Sequence, residues 1–486
     1  MSIRLPLFIL IVIIVLFQYS CNREEFDFSQ GAKLEFSTDT LTFDTVFTTI
    51  GSVTKKVAVK NMNRHPVNVS RISLAGRNTG PFRLNINGIA GNGLDNVSIP
   101  GGDSIFIFVE ATIDPTGQNL PMVVHDSIVF NLNGYLQDVD LIAFGQDFHL
   151  FDGEVLKSQV WRNDKPYLIY NSVLVDSLET LTITEGCRIH FHKGSGMFVK
   201  GTLKATGTYD APIKFQGDRL EEMYEDVPGQ WGASAVLENG GIYVYGGLHF
   251  LKGSMDNIIE WAIIKNADKG IQVDSLGLSP NPVLTLSNSR IENMSLNCLD
   301  ARTTRLKASN TVFANSGSNT VILRYGGDYE FNHCTIANYF NFGTRREPAL
   351  VFNNYYEYKK IIYSFDFNAF LGNCIVYGNM ADELLMDNKG EGTFTGTFKN
   401  SLLKSDLYSS DDQGNNVFNK NPRFIDSFKS DFSIDSLSPA KDIGSNEIAR
   451  MFPFDLNNYS RLEDSGPDAG AIEWAESQLV KEKIED

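Results

Sequence analysis

Three arrangements of side chains in this sequence are of types that do chemistry or hold ligands. His190 and His192 alternate along Arg188-Ile-His-Phe-His192. On a strand both imidazoles would share one side, where a third ligand could complete a metal site. No third ligand is legible, and a stacked or hydrogen-bonded pair is the commoner outcome. The second arrangement combines Tyr339-Phe-Asn-Phe342, Arg345-Arg346 and Tyr355-Tyr-Glu-Tyr-Lys-Lys360. Rings beside cations suit stacking on sugar rings and pairing with uronate or sulfate groups. Arg345, Arg346, Tyr355, Tyr356 and Tyr358 are therefore the candidate glycan-binding residues, against the plainer alternative of a loop packing its own aromatics. The third arrangement is the carboxylates. Hydrolases need two or three of them close together, and lyases need Lys or Arg beside an acid-held Ca²⁺. Neither pattern can be read. Asp411-Asp412 follows Ser409-Ser410 in a polar loop, while Asp442, Asp455 and Asp468 suit turns in which a carboxylate accepts backbone amides. No catalytic residue, metal ligand or cofactor is assigned, and Ca²⁺ is the one ion that the acidic loops leave open.

Cysteine adds little chemistry. Cys187, Cys298, Cys334 and Cys374 show no Cys-x-x-Cys spacing, so neither a zinc site nor a redox pair is indicated. Cys334 and Cys374 bracket the aromatic insertion at equivalent positions of a repeat, near enough for a disulfide. In-register stacking is awkward for that bond and favours two free thiols.

The fifth cysteine has a different setting. After Arg4, the thirteen residues from Leu5 to Phe17 are apolar and then Gln18-Tyr-Ser-Cys21 follows. That length suits a signal-peptide core and is too short to span a bilayer. A small residue directly before Cys resembles the processing site of bacterial lipoproteins, although Gln18 departs from the usual Leu. The resemblance implies that residues 1–20 are removed and that Cys21 becomes an acylated first residue, a membrane anchor. Arg23, Glu24 and Glu25 resemble the tag that exports some lipoproteins to the cell surface, so an outward-facing outer-membrane protein is expected, with 21–29 as a tether.

The rest of the chain must position these groups. Its formal charge of -17 lacks the basic footprint that nucleic acid requires. Between 30 and 148, Val57 and Val59 alternate with polar residues, as do Ile105, Ile107 and Val109, and turn signals separate the runs. About seven such strands make an immunoglobulin-like β-sandwich. Phe43-Asp-Thr-Val46, Gly51-Ser52, Ile99-Pro-Gly-Gly-Asp-Ser104 and Asp114-Pro115 resemble ASPM/SPD-2/hydin-like domains, which implies a spacer or adhesion module.

From 165 to 415 a unit recurs in which a polar residue and then a small one precede a strand: Asn288-Ser, Asn310-Thr, His333-Cys, Asn373-Cys and Asn400-Ser, with Trp261-Ala as a weaker copy. The starting positions differ by 27, 22, 23, 40 and 27 residues. A period near the low twenties without helical spacing predicts a parallel β-helix of some ten coils, with corner Asn side chains bonded from coil to coil. Leu181 to Gly207 is similar to the opening coils of right-handed β-helix proteins of the pectate-lyase-like superfamily. Asn421-Pro-Arg-Phe-Ile425, Ser438-Pro-Ala-Lys-Asp-Ile-Gly444 and Gly466-Pro-Asp-Ala-Gly-Ala-Ile-Glu473 resemble the choice-of-anchor Q segment. Residues 416–474 are expected to cap the open end of the rod, followed by a charged tail, 475–486. The fold class is thus all-β: a sandwich, then a right-handed parallel β-helix with a loop-rich cap. The leading functional expectation is a lipid-anchored surface protein with a non-catalytic polysaccharide-binding, adhesion or structural role. The alternative is a polysaccharide lyase or glycoside hydrolase acting on acidic polymers.

Overall fold

The computed structural model describes residues 25–76, 80–115, 117, 122–274, 280–409 and 414–475. Cys21, Arg23 and Glu24 lie outside them, as does the Asp411-Asp412 turn, and Glu25 is exposed. The chain divides into two units, Met1–Asp147 and Phe148–Asp486.

In the first unit, alternation does what the sequence predicts. Val57 and Val59 in Lys55–Asn61, and Ile105, Ile107 and Val109 in Ser104–Ala111, all point into one core. Two five-stranded sheets enclose that core, and every pairing is antiparallel except that of Tyr135–Gln146 with Thr40–Phe47. Short strands such as Leu34–Phe36 and Ile89–Ala90 raise the count above the expected seven. The unit is an immunoglobulin-like sandwich.

The second unit is a right-handed parallel β-helix whose coils cross three faces in turn. Face I is an eleven-stranded parallel sheet running from His149–Asp152 to Val417–Phe418. Faces II and III belong to one sixteen-stranded sheet, because Asn297–Ser309 and Val321–Asn332 pass round the corner between them without a break. The helix begins sixteen residues before the expected 165, since His149–Asp152 already pairs in register with Tyr167–Tyr170. Eleven strands at about 4.8 Å spacing make a rod roughly 50 Å long. Its interior is a continuous apolar column that includes Phe191, Phe215, Phe250, Phe313 and Phe331.

The repeat found in the sequence is the corner from face III to face I. Trp261, Asn288, Asn310, His333, Asn373 and Asn400 all have φ between 44° and 53°, a left-handed conformation that Asn tolerates better than most residues. Part of the expected ladder forms: Asn310 Nδ2 donates to Asn288 Oδ1 at 3.0 Å, and Asn373 Nδ2 lies 3.0 Å from His333 Nε2. The following small residue is buried at every copy. Ser401 Oγ accepts the Cys374 amide at 3.0 Å, and Cys374 Sγ accepts the Cys334 amide at 3.4 Å. Both cysteines are free thiols.

The C-terminal segment is loop-rich, as expected, and packs along the outer side of the later coils of face I. Val312, Ala314 and Ala337 face outward there and pack against Phe432, Leu456 and Ile472, while Ile375 and Leu402 pack against Ile434, Ala440 and Ala469. In these later coils the outward positions are largely apolar, so a flank cover is what they need. Arg461 is fully buried, donating to Asn310 Oδ1 at 3.0 Å and to Glu473. Asp455 accepts the amides of Asn457, Tyr459 and Glu473, and Asp468 accepts those of Asp442 and Trp474, as turn carboxylates should. The Asp442 side chain instead pairs with Lys441.

Burial pushes Glu473 up to about 8 despite the Arg461 charge, and pushes Asp468 up to about 6. Carboxyls with raised values hold a proton in the folded state that the unfolded chain releases. Their stabilising effect is complete below the ordinary carboxylate range and is lost as pH rises through about 6 and then about 8. The amides of 455–474 should therefore lose protection at pH 9 relative to pH 6, after correction for intrinsic rates. Hydrogen exchange read by mass spectrometry checks this, and equal protection at the two values would contradict it.

Candidate functional site

The most concentrated polar chemistry of the rod lies on the outer side of face II. Strands Leu248–Phe250, Lys269–Asp274, the first part of Asn297–Ser309, the first part of Val321–Asn332, Leu350–Asn353 and Leu384–Asp387 stack in register. Period-two alternation sends Leu299 and Ala301 inward and Asp300 and Arg302 outward. One outward row carries His249, Gln272 and Asp300; the next carries Asp274, Arg302, Arg324, Asn353 and Asp387.

Asp300 is the centre of this surface and is fully buried, although it points away from the core. Its carboxylate accepts from Arg302 Nε and Nη2 at 3.2 and 2.6 Å, from Arg324 Nε and Nη2 at 2.9 and 2.5 Å, and from Lys269 Nζ at 3.1 Å. Burial alone would raise its pKa. The Arg324, Arg302 and Lys269 charges outweigh that effect and hold the carboxyl well below the usual range. Beside it, His249 Nε2 meets Asp274 Oδ2 at 2.7 Å. Burial would raise Asp274 too, but the His249 hydrogen bond lowers it on balance. Three cations, Lys269, Arg302 and Arg324, converge on Asp300, with Asp274 beside them and Asp387 further along the same row, so the surface is densely charged but balanced.

Two insertions flank this surface. The first, between faces I and II, ends in a hairpin of Ser234–Val236 and Ile242–Val244. Its entry is fixed by Trp231, which stacks on Phe191 at 4.2 Å and donates Nε1–H to Lys265 O at 2.8 Å. Its exit at Gly247 admits no side chain, because a Cβ there would lie 2.5 Å from the Trp231 ring. The hairpin lays Tyr243 over the cations: its Oη accepts from Arg302 Nη1 at 2.6 Å and from Gln272 Nε2 at 3.1 Å, and Lys269 Nζ lies 5.6 Å from the ring centre.

The second insertion, between faces II and III, is a hairpin of Tyr355–Tyr358 and Ile361–Ser364. Tyr356 and Tyr363 face each other across it and stack at 5.0 Å. Tyr325 meets Tyr356 edge-on at 5.8 Å and carries the Arg324 guanidinium 5.5 Å over its own ring, which links hairpin to cation cluster. Tyr356, Tyr358 and Tyr363 are 40, 57 and 40% exposed, and Lys359 and Lys360 form the tip.

The residues predicted from sequence divide. Tyr356 and Tyr358 are on the exposed face of the hairpin. Tyr355 faces the rod instead, donating its hydroxyl to Asp387 at 2.9 Å beneath Lys389. Arg346 is exposed. Arg345 cannot reach a ligand: its guanidinium is buried, donating to Glu383 Oε1 and Oε2 at 2.5 and 2.7 Å and to Asn379 Oδ1 at 2.6 Å. It tethers the loop 339–348 to the next coil. His190 and His192 share one side as expected, yet His190 Nδ1 bonds Gly217 O at 3.2 Å, while His192 stacks on Tyr170 at 4.1 Å and bonds Asp218 at 2.7 Å. Burial pulls His190 down to about 4, so it stays neutral at physiological pH. Among the described residues, no group of three or more His, Cys, Asp and Glu is placed to hold a metal ion.

Lys269, Asp300, Arg302, Arg324, Tyr243 and Tyr363 were not anticipated. A signal was present: Arg302 and Arg324 are 22 residues apart, one coil, so the repeat already stacked them.

No protein-family model matches the chain, and no curated protein matches it. Among solved structures, a protein of unknown function from Porphyromonas gingivalis W83 is 14% identical over 25% of this chain, with a TM-score of 0.18, and the overlap spans about half (51%) of its length. The ASH/PapD-like domain 7 of human CEP192 is 9% identical over 26% of this chain and 92% of its own, with a TM-score of 0.18. The catalytic domain of a GH87 alpha-1,3-glucanase is 10% identical over 75% of this chain and 90% of its own, with a TM-score of 0.17. Overlaps this slight carry no argument about what the chain binds.

Proposed function

We propose that this chain is a lipoprotein, anchored through Cys21 to the outer membrane and facing the exterior, that binds acidic polysaccharide along face II. The sandwich, with its likeness to ASPM/SPD-2/hydin-like domains, would serve as a spacer, and the choice-of-anchor Q-like segment as the flank cover. The observation that carries the binding reading is the pairing of exposed tyrosine rings with adjoining cations on one hairpin. Tyr356 and Tyr363 offer flat apolar surface for sugar rings, and Lys359 and Lys360 at the exposed tip of the same hairpin, with Arg324 reaching it through Tyr325, supply positive charge for carboxylates. Such rings lose little conformational entropy on binding, and charge complementarity favours a uronate or sulfated polymer.

Intact cells carrying the full-length chain should bind fluorescent polygalacturonate. Tyr356→Ala with Tyr363→Ala should weaken binding at least tenfold, and Cys21→Ser should move the protein out of the outer-membrane fraction. Protease-accessible protein that leaves cells unlabelled by polygalacturonate and by sulfated polymers alike would remove the proposal.

A second reading, cleavage of the same polymer by β-elimination, is favoured by Tyr243. Its oxygen accepts hydrogen bonds from Arg302 and Gln272, which fix the hydroxyl over the face where the polymer would lie, in reach of a proton beside a uronate carboxylate. Unsaturated products absorbing in the ultraviolet, and lost in Tyr243→Phe, would establish it; unchanged polymer length would leave binding alone.

A further inference from the structure

Face III carries a cleft of its own. It has a volume of about 340 Å³ and is lined by Arg305, Lys307, Asp328, Glu330, Asn368 and Phe370, with prolines 280 and 282 at its rim. Register explains the lining. Arg305, Asp328 and Asn368 stack in one outward row across three coils, and Lys307, Glu330 and Phe370 stack in the next. Two cations oppose two carboxylates, so the cleft has no net charge with which to select an ionic ligand. The carboxylates are also held in place: Lys307 Nζ lies 2.7 Å from Glu330 Oε2, Asn332 Nδ2 donates to Glu330 Oε1 at 2.9 Å, and Asn368 Nδ2 donates to Asp328 Oδ1 at 2.8 Å.

Each carboxylate can accept about four hydrogen bonds, more than these contacts use. What the cleft offers a ligand is therefore fixed acceptors two residues apart on one strand, next to the half-buried ring of Phe370 and two proline rings. A molecule that satisfies it must present several hydroxyl donors on one edge and an apolar C–H face on the other, without charge. The volume falls at the small end of the range for small-molecule sites. We propose that this cleft binds one ring of an uncharged sugar, with hydroxyls donated to Asp328 and Glu330 and the C–H face against Phe370. It lies on a different face from the cation cluster and takes a different class of ligand, so it does not depend on the reading of face II.

The test uses the full-length chain in a detergent without a sugar headgroup, probed by saturation-transfer NMR with methyl glycosides of glucose, galactose and mannose. At least one glycoside should receive saturation, strongest at its ring C–H protons. The signal should fall at least tenfold in Phe370→Ala. It should fall equally in the near-isosteric double variant Asp328→Asn with Glu330→Gln, which guards against a folding defect in the first. Polygalacturonate binding should persist in these variants, and Tyr356→Ala should leave the glycoside signal unchanged. No transfer from any of the three glycosides, or full transfer in both cleft variants, would overturn the proposal whatever face II does.

Discussion

Arg345→Ala is expected to destabilise the rod by about 3–5 kcal/mol, whereas Arg346→Ala, one residue on, should change stability by no more than about 0.5 kcal/mol. The difference lies in what each cation touches. Arg345 and Glu383 are 2 and 0% exposed at their side chains and pair through two hydrogen bonds. Glu383 also accepts the amides of Ala349 and Met380 at 2.9 and 2.8 Å. Removing the guanidinium leaves a carboxylate in a site closed to water, and that stranded charge, more than the lost attraction, sets the cost. Arg345→Met with Glu383→Leu removes both charges and should be less destabilised than either single variant. In a solenoid the damage should be local, first freeing the loop 339–348 and the strand Leu350–Asn353. Limited proteolysis and hydrogen exchange over 339–353 provide the measurement. Equal behaviour of Arg345→Ala and Arg346→Ala would mean that the pair contributes nothing to holding the loop.

Those two arginines also show what a linear sequence conveys and what it hides. Both stand in an insertion rich in aromatic residues, and nothing in the spacing separates the one that faces solvent from the one that is buried. The partner that decides it, Glu383, lies 38 residues away in the next coil. The corner residues are legible for the opposite reason. A left-handed turn is a local demand, met by Asn288, Asn310, Asn373 and Asn400 each on its own, so the coil period is written along the chain. Alternation in Lys55–Asn61 and Ser104–Ala111 is local in the same way. The aromatic hairpin is half legible. Tyr356 and Tyr358 are recognisable as a platform, but Tyr355 is turned to the rod by Asp387, and Tyr363 joins the platform only once the hairpin pairs it with Tyr356. Least legible is the flank cover. Its anchors join residues such as Asn310 and Arg461, 151 apart, and the apolar outward row on face I that demands a cover appears only when the coils are stacked.

The cluster around Asp300 supplies the second large effect. Asp300→Ala should cost at least about 3 kcal/mol, because it leaves Lys269, Arg302 and Arg324 converging on a buried point with no counter-charge. The pH dependence has a definite sign. A carboxyl held well below the usual range contributes stability that is complete above the unfolded value, near 3.9, and is lost only as pH falls through its depressed folded value. The wild-type rod should therefore keep this contribution at pH 4, and the variant should lack it at every pH. The same variant bears on function. Three cations without their carboxylate gain most from an anionic ligand, and a ligand that binds only the folded state stabilises it in proportion to its affinity. If acidic polysaccharide occupies face II, trigalacturonate should raise the unfolding temperature of Asp300→Ala by more than it raises that of the wild type. A smaller shift in the variant would mean that Asp300 orients Arg302 and Arg324 for the ligand. No shift in either protein would place the acidic ligand elsewhere.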